Sequence, residues 1–186
     1  MQVMPRNPVL SVCEENKIPV LEAPTTKKFI MKTWKNNWIF EKDAFHLGIV
    51  ADFGFFLPAR LVSFTNHGFY NVHPSLLPRY MGATPIEHAL MNGDSETGVS
   101  IIRINPESKS FDTGQIVVQD KVRILPHELF PDLKERLSEK ASELLHVFLE
   151  NEMYLLNKHD VSTNHGVETS TAPVLSKQVL FSFSHV

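Results

Sequence analysis

Hydrophobic and polar positions along this chain change period several times, and each change marks an element. The clearest signal lies in Pro131 to Glu150, where Leu133, Leu137, Ala141, Leu144, Leu145 and Phe148 fall on one helical stripe. That spacing predicts an amphipathic helix with a single buried face. Leu47-Gly48-Ile49-Val50-Ala51 is instead a short continuous apolar run, the pattern of a buried parallel strand. Phe69-Tyr70-Asn71-Val72-His73 reads as the next strand, and Pro74 ends it. Thr97 to Ile104 alternates strongly enough for another strand, and Gln115 to Ile124 supplies one more.

Shorter elements fit between these. Helices are predicted over Val9 to Lys17, Pro58 to Phe64 and Ile86 to Asn92. Pro58 and Pro85 suit a first helical turn, and Gly93 suits a left-handed C-cap. Ile18-Pro19-Val20-Leu21 reads as a short strand. Strands alternating with helices predict an α/β layered domain. Lys27 to Asp43 fits neither period cleanly, although Trp34 and Trp38 are spaced as on one helix face. From Asn157 the character changes: Lys158 to Ala172 is rich in Ser, Thr, Asn and His, the composition of a linker or tail. The apolar end, Val179-Leu180-Phe181-Ser182-Phe183, has no visible partner strand. The expected organisation is a domain over residues 1–156 and a linker or tail over 157–186.

Composition narrows the class. With 42% hydrophobic and 21% charged residues among 186, the chain has material for a genuine core. Its net charge of −3 gives no bulk signal for nucleic-acid binding. Lys27, Lys28, Lys32 and Lys35 form a local basic stretch, read as a solvated face. A single cysteine, Cys13, allows neither an internal disulfide nor a cysteine-only metal cluster. No apolar run reaches the roughly 18 residues of a membrane span. Met1-Gln2-Val3-Met4-Pro5-Arg6 has the pattern of neither a signal peptide nor an Arg- and Ser-rich transit peptide.

The candidate chemistry lies at the end of the Phe69 to His73 strand. Asn71 and His73 are two apart, so both side chains project from one face. In an open α/β sheet, reactive groups gather at the carboxyl ends of strands. Ser75-Leu76-Leu77-Pro78 makes a stiff apolar loop, a wall for a flat heterocycle, and the Asp112-Thr113-Gly114 turn can return a carboxylate to the same edge. An amide and a protonated imidazole can donate to a developing oxyanion. A carboxylate-oriented imidazole can assist proton removal from an attacking amine. This is equipment for acyl or formyl transfer, although an Asn-x-His pair at a strand end is also a common structural feature. Ser75 lacks the G-x-S-x-G context of a hydrolase nucleophile. A single Asp-Thr-Gly does not make an aspartic protease pair. His127-Glu128 lacks the second histidine of a zinc helix.

Taken together, Asn71-Val72-His73-Pro74-Ser75-Leu76-Leu77-Pro78, Gly82-Ala83-Thr84-Pro85-Ile86, Gly93-Asp94-Ser95-Glu96-Thr97-Gly98-Val99 and Asp112-Thr113-Gly114 resemble the signature of the 10-formyltetrahydrofolate-dependent formyltransferases. Two flanking segments resemble the branch that formylates methionyl-tRNA. Met4-Pro5-Arg6-Asn7-Pro8-Val9 is similar to its Met-Pro-x-x-Pro segment, and Thr171-Ala172-Pro173-Val174-Leu175-Ser176-Lys177 to its Tyr-Ala-Pro-Lys-x-Ser-Lys link. The resemblance runs from about Val3 to Lys177. Arg79-Tyr80-Met81-Gly82 stands where Arg-Trp-Arg-Gly is more usual, and Val174 where the link usually has lysine.

The resemblance implies a Rossmann-like catalytic domain with a mostly parallel sheet. It implies formyl transfer from the co-substrate 10-formyltetrahydrofolate to the amine of initiator methionyl-tRNA, without a metal, by a monomer that does not enter membranes. His73 and Asn71 would steady the tetrahedral intermediate, Asp112 would orient His73 and relay the proton, and Ser75, Leu76, Leu77 and Pro78 would line the folate site. The implied compartment is the mitochondrial matrix for a eukaryotic source and the cytoplasm for a bacterial one. Relatives carry a central strand, a Gly-rich turn and a tRNA-binding loop before the segment at Met4, and a β-barrel after the Ser-Lys link. The expectation is therefore a catalytic domain incomplete at both ends, of marginal stability and with weak or absent tRNA formylation by itself. Hydrolysis of 10-formyltetrahydrofolate, or an inactive fragment or isoform, are the alternatives.

Overall fold

The computed structural model describes residues 7–20, 45–57, 59–155 and 171–172. The chain divides into two units, Met1–Trp38 and Ile39–Val186. The described part of the first is helix α1, Pro8–Glu15. Asn7 caps it, its side chain accepting from the Val9 N–H at 2.9 Å, and Pro8 occupies the first turn, where a missing N–H costs nothing. Lys17 closes the helix in a left-handed conformation, and the Ile18 N–H donates back to Cys13. The strand expected from Ile18 is not formed over Ile18 to Val20. Pro19 cannot donate to a ladder, and no strand pairs with this segment among the described residues. Leu21, the Lys27 to Asp43 stretch with Trp34 and Trp38, the four lysines and Met4-Pro5-Arg6 lie outside the described residues.

The second unit is built on a four-stranded sheet. Strand β1 is Gly48–Ala51, helix α2 Ala59–Val62, β2 Phe69–His73, β3 Met81–Gly82, α3 Pro85–Met91, β4 Glu96–Arg103, β5 Gln115–Arg123, α4 Phe130–Leu155 and β6 Thr171–Ala172. The sheet order is β1-β2-β4-β5. The predicted α/β layering is present, but the sheet is mixed where a mostly parallel one was expected. β1 and β2 run parallel, whereas β2–β4 and β4–β5 are antiparallel. Connections set this outcome. β4 turns directly into β5 without a crossover helix. Between β2 and β4 the chain runs through a loop, β3 and α3 and returns antiparallel to β2.

One face of the sheet holds the core. Tyr70, Val99 and Ile101 are fully buried there against Leu133, Leu137, Leu144 and Phe148 of α4, with Ala141 and Leu145 packed alongside. The Tyr70 and Phe148 rings lie 4.9 Å apart. Each such side chain stabilises the fold by about 1.5–3 kcal/mol through removal from water. The sequence stripe and the buried face coincide, and α4 extends beyond its predicted end.

β1 departs from expectation. It is parallel, as read, and pairs with β2, but its residues alternate half-buried and exposed, with Ile49 36% exposed. Among the described residues β1 has a neighbour on one side only, so the burial of a central strand is not reached. α2 is shorter than the predicted Pro58 to Phe64, and Pro58 itself lies outside the described residues. Gly93 takes the left-handed conformation expected of it, with φ +66° and its N–H on the Leu90 carbonyl. Within the stretch read as a linker, Thr171–Ala172 forms a strand parallel to β3, so the backbone there carries structure that its polar composition did not announce. The end at Val179 to Phe183 lies outside the described residues. No helix among the described residues is long and apolar enough to cross a membrane.

Candidate active site

Strand alternation sends Tyr70 and Val72 into the core and Asn71 and His73 to the opposite face. There they meet Asp112, which the loop between β4 and β5 delivers with a left-handed backbone, φ +55°, that Asp adopts more readily than most residues. The structure therefore brings together the three side chains singled out from sequence. Asn71 Nδ2 donates to Asp112 Oδ1 at 2.9 Å, and the Gly82 N–H donates to Asp112 Oδ2 at 2.9 Å. His73 Nδ1 stands 3.7 Å from Asp112 Oδ1, with the two side chains only 6% and 8% exposed. A buried carboxylate needs partners of this kind, because an unpaired charge away from water is costly.

The far side of the imidazole fixes its protonation. His73 Nε2 lies 2.9 Å from the Tyr80 carbonyl oxygen, which can only accept, so Nε2 carries a hydrogen. The nitrogen left to gain or lose a proton is Nδ1, which faces Asp112. The Asn71 amide has two hydrogens and gives one to Asp112, leaving the second for a bound group. Two donors and a carboxylate on one buried edge can stabilise an oxyanion and move a proton beside it.

The Ser75 to Pro78 loop is held by side chains that the sequence did not single out. Ser100 Oγ donates to the Ser75 carbonyl at 2.5 Å and accepts from the Leu77 N–H at 3.0 Å. Gln119 Nε2 donates to Ser100 Oγ at 2.7 Å and to the Leu77 carbonyl at 2.8 Å. Ser75 is fully buried, and its hydroxyl donates to the Arg79 carbonyl at 2.7 Å. Of the four loop residues expected to line a ligand site, Ser75 and Leu77 thus anchor the loop, while Leu76 and Pro78 stay half-buried. Leu76 lies on the backbone of Gly98, where any Cβ would meet its Cδ2 at 2.5 Å. Beside Asp112, the Phe56 and Phe111 rings meet edge to face at 5.3 Å and are 45% and 54% exposed, forming an apolar rim.

Arg79 leads out of the loop. Burial pulls its guanidinium pKa down, but ion pairing and hydrogen bonding to Asp94, aided by Tyr80, outweigh this and hold it above the usual arginine value. Sequence reading placed Gly82 in the signature but gave it no role, and missed the Tyr80 carbonyl, because both act through the backbone. A signal for Ser100 did exist, as a small polar residue set between Val99 and Ile101 within a strand. Among the described residues no three His, Cys, Asp or Glu side chains group as metal ligands do.

Comparison with known proteins follows the same lines. Residues 7–149 match the protein family described as "Formyl transferase". A methionyl-tRNA formyltransferase of Thermotoga neapolitana is 40% identical over 137 residues, 72% of this chain and 41% of that relative. One from Pseudothermotoga lettingae is 33% identical over 179 residues, 96% of this chain and 53% of the relative. One from Syntrophus aciditrophicus is 37% identical over 173 residues, 92% and 52% respectively. The chain thus spans about half the length of the curated relatives it matches. Among solved structures, phosphoribosylglycinamide formyltransferase from Streptococcus pneumoniae superposes with a TM-score of 0.66 at 22% identity, covering 78% of this chain and 80% of that one. A formyltransferase of Anoxybacillus kamchatkensis, solved with a UDP-linked formamido sugar and tetrahydrofolate, gives 0.66 at 19% identity, with 96% and 87% covered. At these identities the two structures speak for the fold.

Proposed function

This chain belongs to the formyl transferase family, and on that premise we propose that its Asn71, His73 and Asp112 edge serves transfer of a formyl group from 10-formyltetrahydrofolate to the amino group of methionine on initiator tRNA. The tRNA acceptor is favoured because the relatives named methionyl-tRNA formyltransferase reach 33–40% identity over most of this chain. The observation that carries the reading is the single carboxylate shared between an amide, a backbone N–H and an imidazole whose other nitrogen is tied to a carbonyl.

The residues divide the work by what each can donate. Leu76, Pro78 and the Phe56–Phe111 rim offer apolar surface to a flat heterocycle. The methionine amine attacks the formyl carbon, forming one C–N bond. The oxygen, now an anion, accepts from the remaining Asn71 N–H and from a protonated His73 Nδ1. The original C–N bond to the folate then breaks. One proton leaves the attacking nitrogen and one arrives on the departing nitrogen, so charge and mass balance. His73 Nδ1 is the exchanging position, and the Asp112 charge stabilises the imidazolium beside it.

Incubating the chain with 10-formyltetrahydrofolate and methionyl-tRNA tests this reading. Formylmethionyl-tRNA and tetrahydrofolate appearing in equal amounts is the expected result. Tetrahydrofolate released equally fast without tRNA would turn the reading to hydrolysis, with water as acceptor. The appearance of no product at all would overturn it.

A further inference from the structure

Tyr80 presents its carbonyl to His73 from a left-handed backbone, φ +58°, a conformation that L side chains rarely adopt. Something must hold it there. The ring is buried, 5% exposed, and its hydroxyl lies among three polar side chains. The phenol donates to Asp94 Oδ2 at 2.7 Å and accepts from Asn92 Nδ2 at 2.9 Å, with Arg79 Nη2 at 3.3 Å. Arg79 also donates to Asp94 Oδ2 at 2.8 Å and sits over the Tyr80 ring, 5.1 Å from its centre. Asn92 and Asp94 flank the left-handed Gly93 that ends α3, and the Asp94 N–H donates to the Ala89 carbonyl. The clamp is therefore built on a capped helix end, a rigid support.

We infer that Tyr80 is a positioning residue: its phenol, gripped by Asn92 and Asp94, holds its own carbonyl where it fixes the His73 imidazole with the hydrogen on Nε2. The chain of contacts is continuous from the α3 cap to the reacting edge. A carbonyl at Nε2 leaves Nδ1 as the exchanging nitrogen. If the carbonyl swings away, the ring can turn or change tautomer, and Nδ1 is no longer reserved for the substrate side. Tyrosine suits the role because its hydroxyl both donates to the carboxylate and accepts from the amide. Asp94 in turn needs the Arg79 cation, because a partly buried carboxylate requires a counter-charge. The significance of His73 rests on the function proposed above, but its tether can be tested apart from that function.

The test uses the full chain labelled with 15N, and reads the imidazole nitrogens of His73, assigned by difference against His73→Gln. In the unaltered chain His73 should show a protonated Nε2 that exchanges slowly with solvent. Tyr80→Phe and Asp94→Ala should mix the two tautomers and speed exchange of that hydrogen about tenfold or more, the scale of one lost hydrogen bond. Asp94→Asn keeps an acceptor oxygen for the phenol and should retain most of the original pattern. An unchanged His73 spectrum in folded Tyr80→Phe and Asp94→Ala would overturn the inference. If Tyr80→Phe fails to fold, the Asp94 pair decides: different spectra for Ala and Asn support the tether, and identical ones defeat it. Turnover should follow the spectra, kcat falling about tenfold to a hundredfold with KM for 10-formyltetrahydrofolate within about twofold, as misplacement of a reacting group predicts. Should the unaltered chain transfer no formyl group at all, the proposed function fails while the spectra still settle the tether.

Discussion

The backbone N–H of Gly82 donates to Oδ2 of Asp112, thirty residues further along the chain, at 2.9 Å. Asp112 therefore accepts on both of its oxygens, from Gly82 on one side and Asn71 on the other. Asparagine has the same shape but can accept on one side only, so Asp112→Asn must set an NH2 group against one of these donors. The variant should lose about 1–3 kcal/mol of stability through the unmatched pair. It should also lose about a hundredfold or more in turnover, since the charge that supports a protonated His73 is gone. Urea denaturation and formyl-transfer kinetics check the two parts separately. Stability within about 0.5 kcal/mol of the original together with turnover within about threefold would refute the assignment.

Ser100 makes a different kind of prediction, because its hydroxyl touches no proposed substrate. It donates once and accepts twice within the loop brace, so Ser100→Ala strands the Leu77 N–H, the Ser75 carbonyl and one Gln119 hydrogen together. The expected loss is about 2 kcal/mol, read as a lower denaturation midpoint at unchanged slope. Loosening the loop should also raise KM for 10-formyltetrahydrofolate more than it lowers kcat. The opposite split would place the brace's influence on the chemical step.

Helix α4 offers the plainest contrast. Leu137 is 1% exposed and Glu139, two residues on, faces water. Leu137→Ala should cost about 2–5 kcal/mol, a lost side chain plus the cavity it leaves. Glu139→Ala should stay within about 0.5 kcal/mol. Equal effects of the two would mean that the stripe is not the buried face.

Those outcomes bear on what a linear reading can reach. The α4 stripe was legible because a period near 3.6 leaves few ways to bury six apolar residues. β2 was legible because Pro74 cannot continue a ladder. Asn71 and His73 followed from the period of two, and the Asp112 turn from its own residues. Strand direction was another matter, since it depends on how 74–95 and 104–114 fold back, and nothing local in β4 or β5 encodes it. The half-exposure of β1 depends on which neighbours it has, not on its own apolar run. Ile18 to Val20 has β-branched residues but Pro19 between them, and the proline prevails. At the site, the Tyr80 carbonyl and the Gly82 N–H are backbone groups, invisible to any argument built on side-chain chemistry. Thr171–Ala172 pairs with β3 through its backbone as well.

Gly98 joins the strand reading to the site. A Cβ placed there would stand 2.2 Å from the Asp120 carbonyl and 2.5 Å from Leu76 Cδ2, both well inside contact distance. The Asp120 carbonyl belongs to the neighbouring strand and cannot move without breaking the β4–β5 ladder, so Leu76 alone cannot relieve Gly98→Ala. The variant should lose about 1–3 kcal/mol, as for an overpacked interior. Because Leu76 is one of the two loop residues left half-buried, its displacement should also weaken binding of a folate analogue. Leu76→Ala combined with Gly98→Ala separates the two effects. Removing the leucine side chain relieves one clash and leaves the other, so the double variant should regain part of the stability while folate binding stays weak. Full recovery of both would show that the Asp120 contact is harmless and that Leu76 has no part in binding.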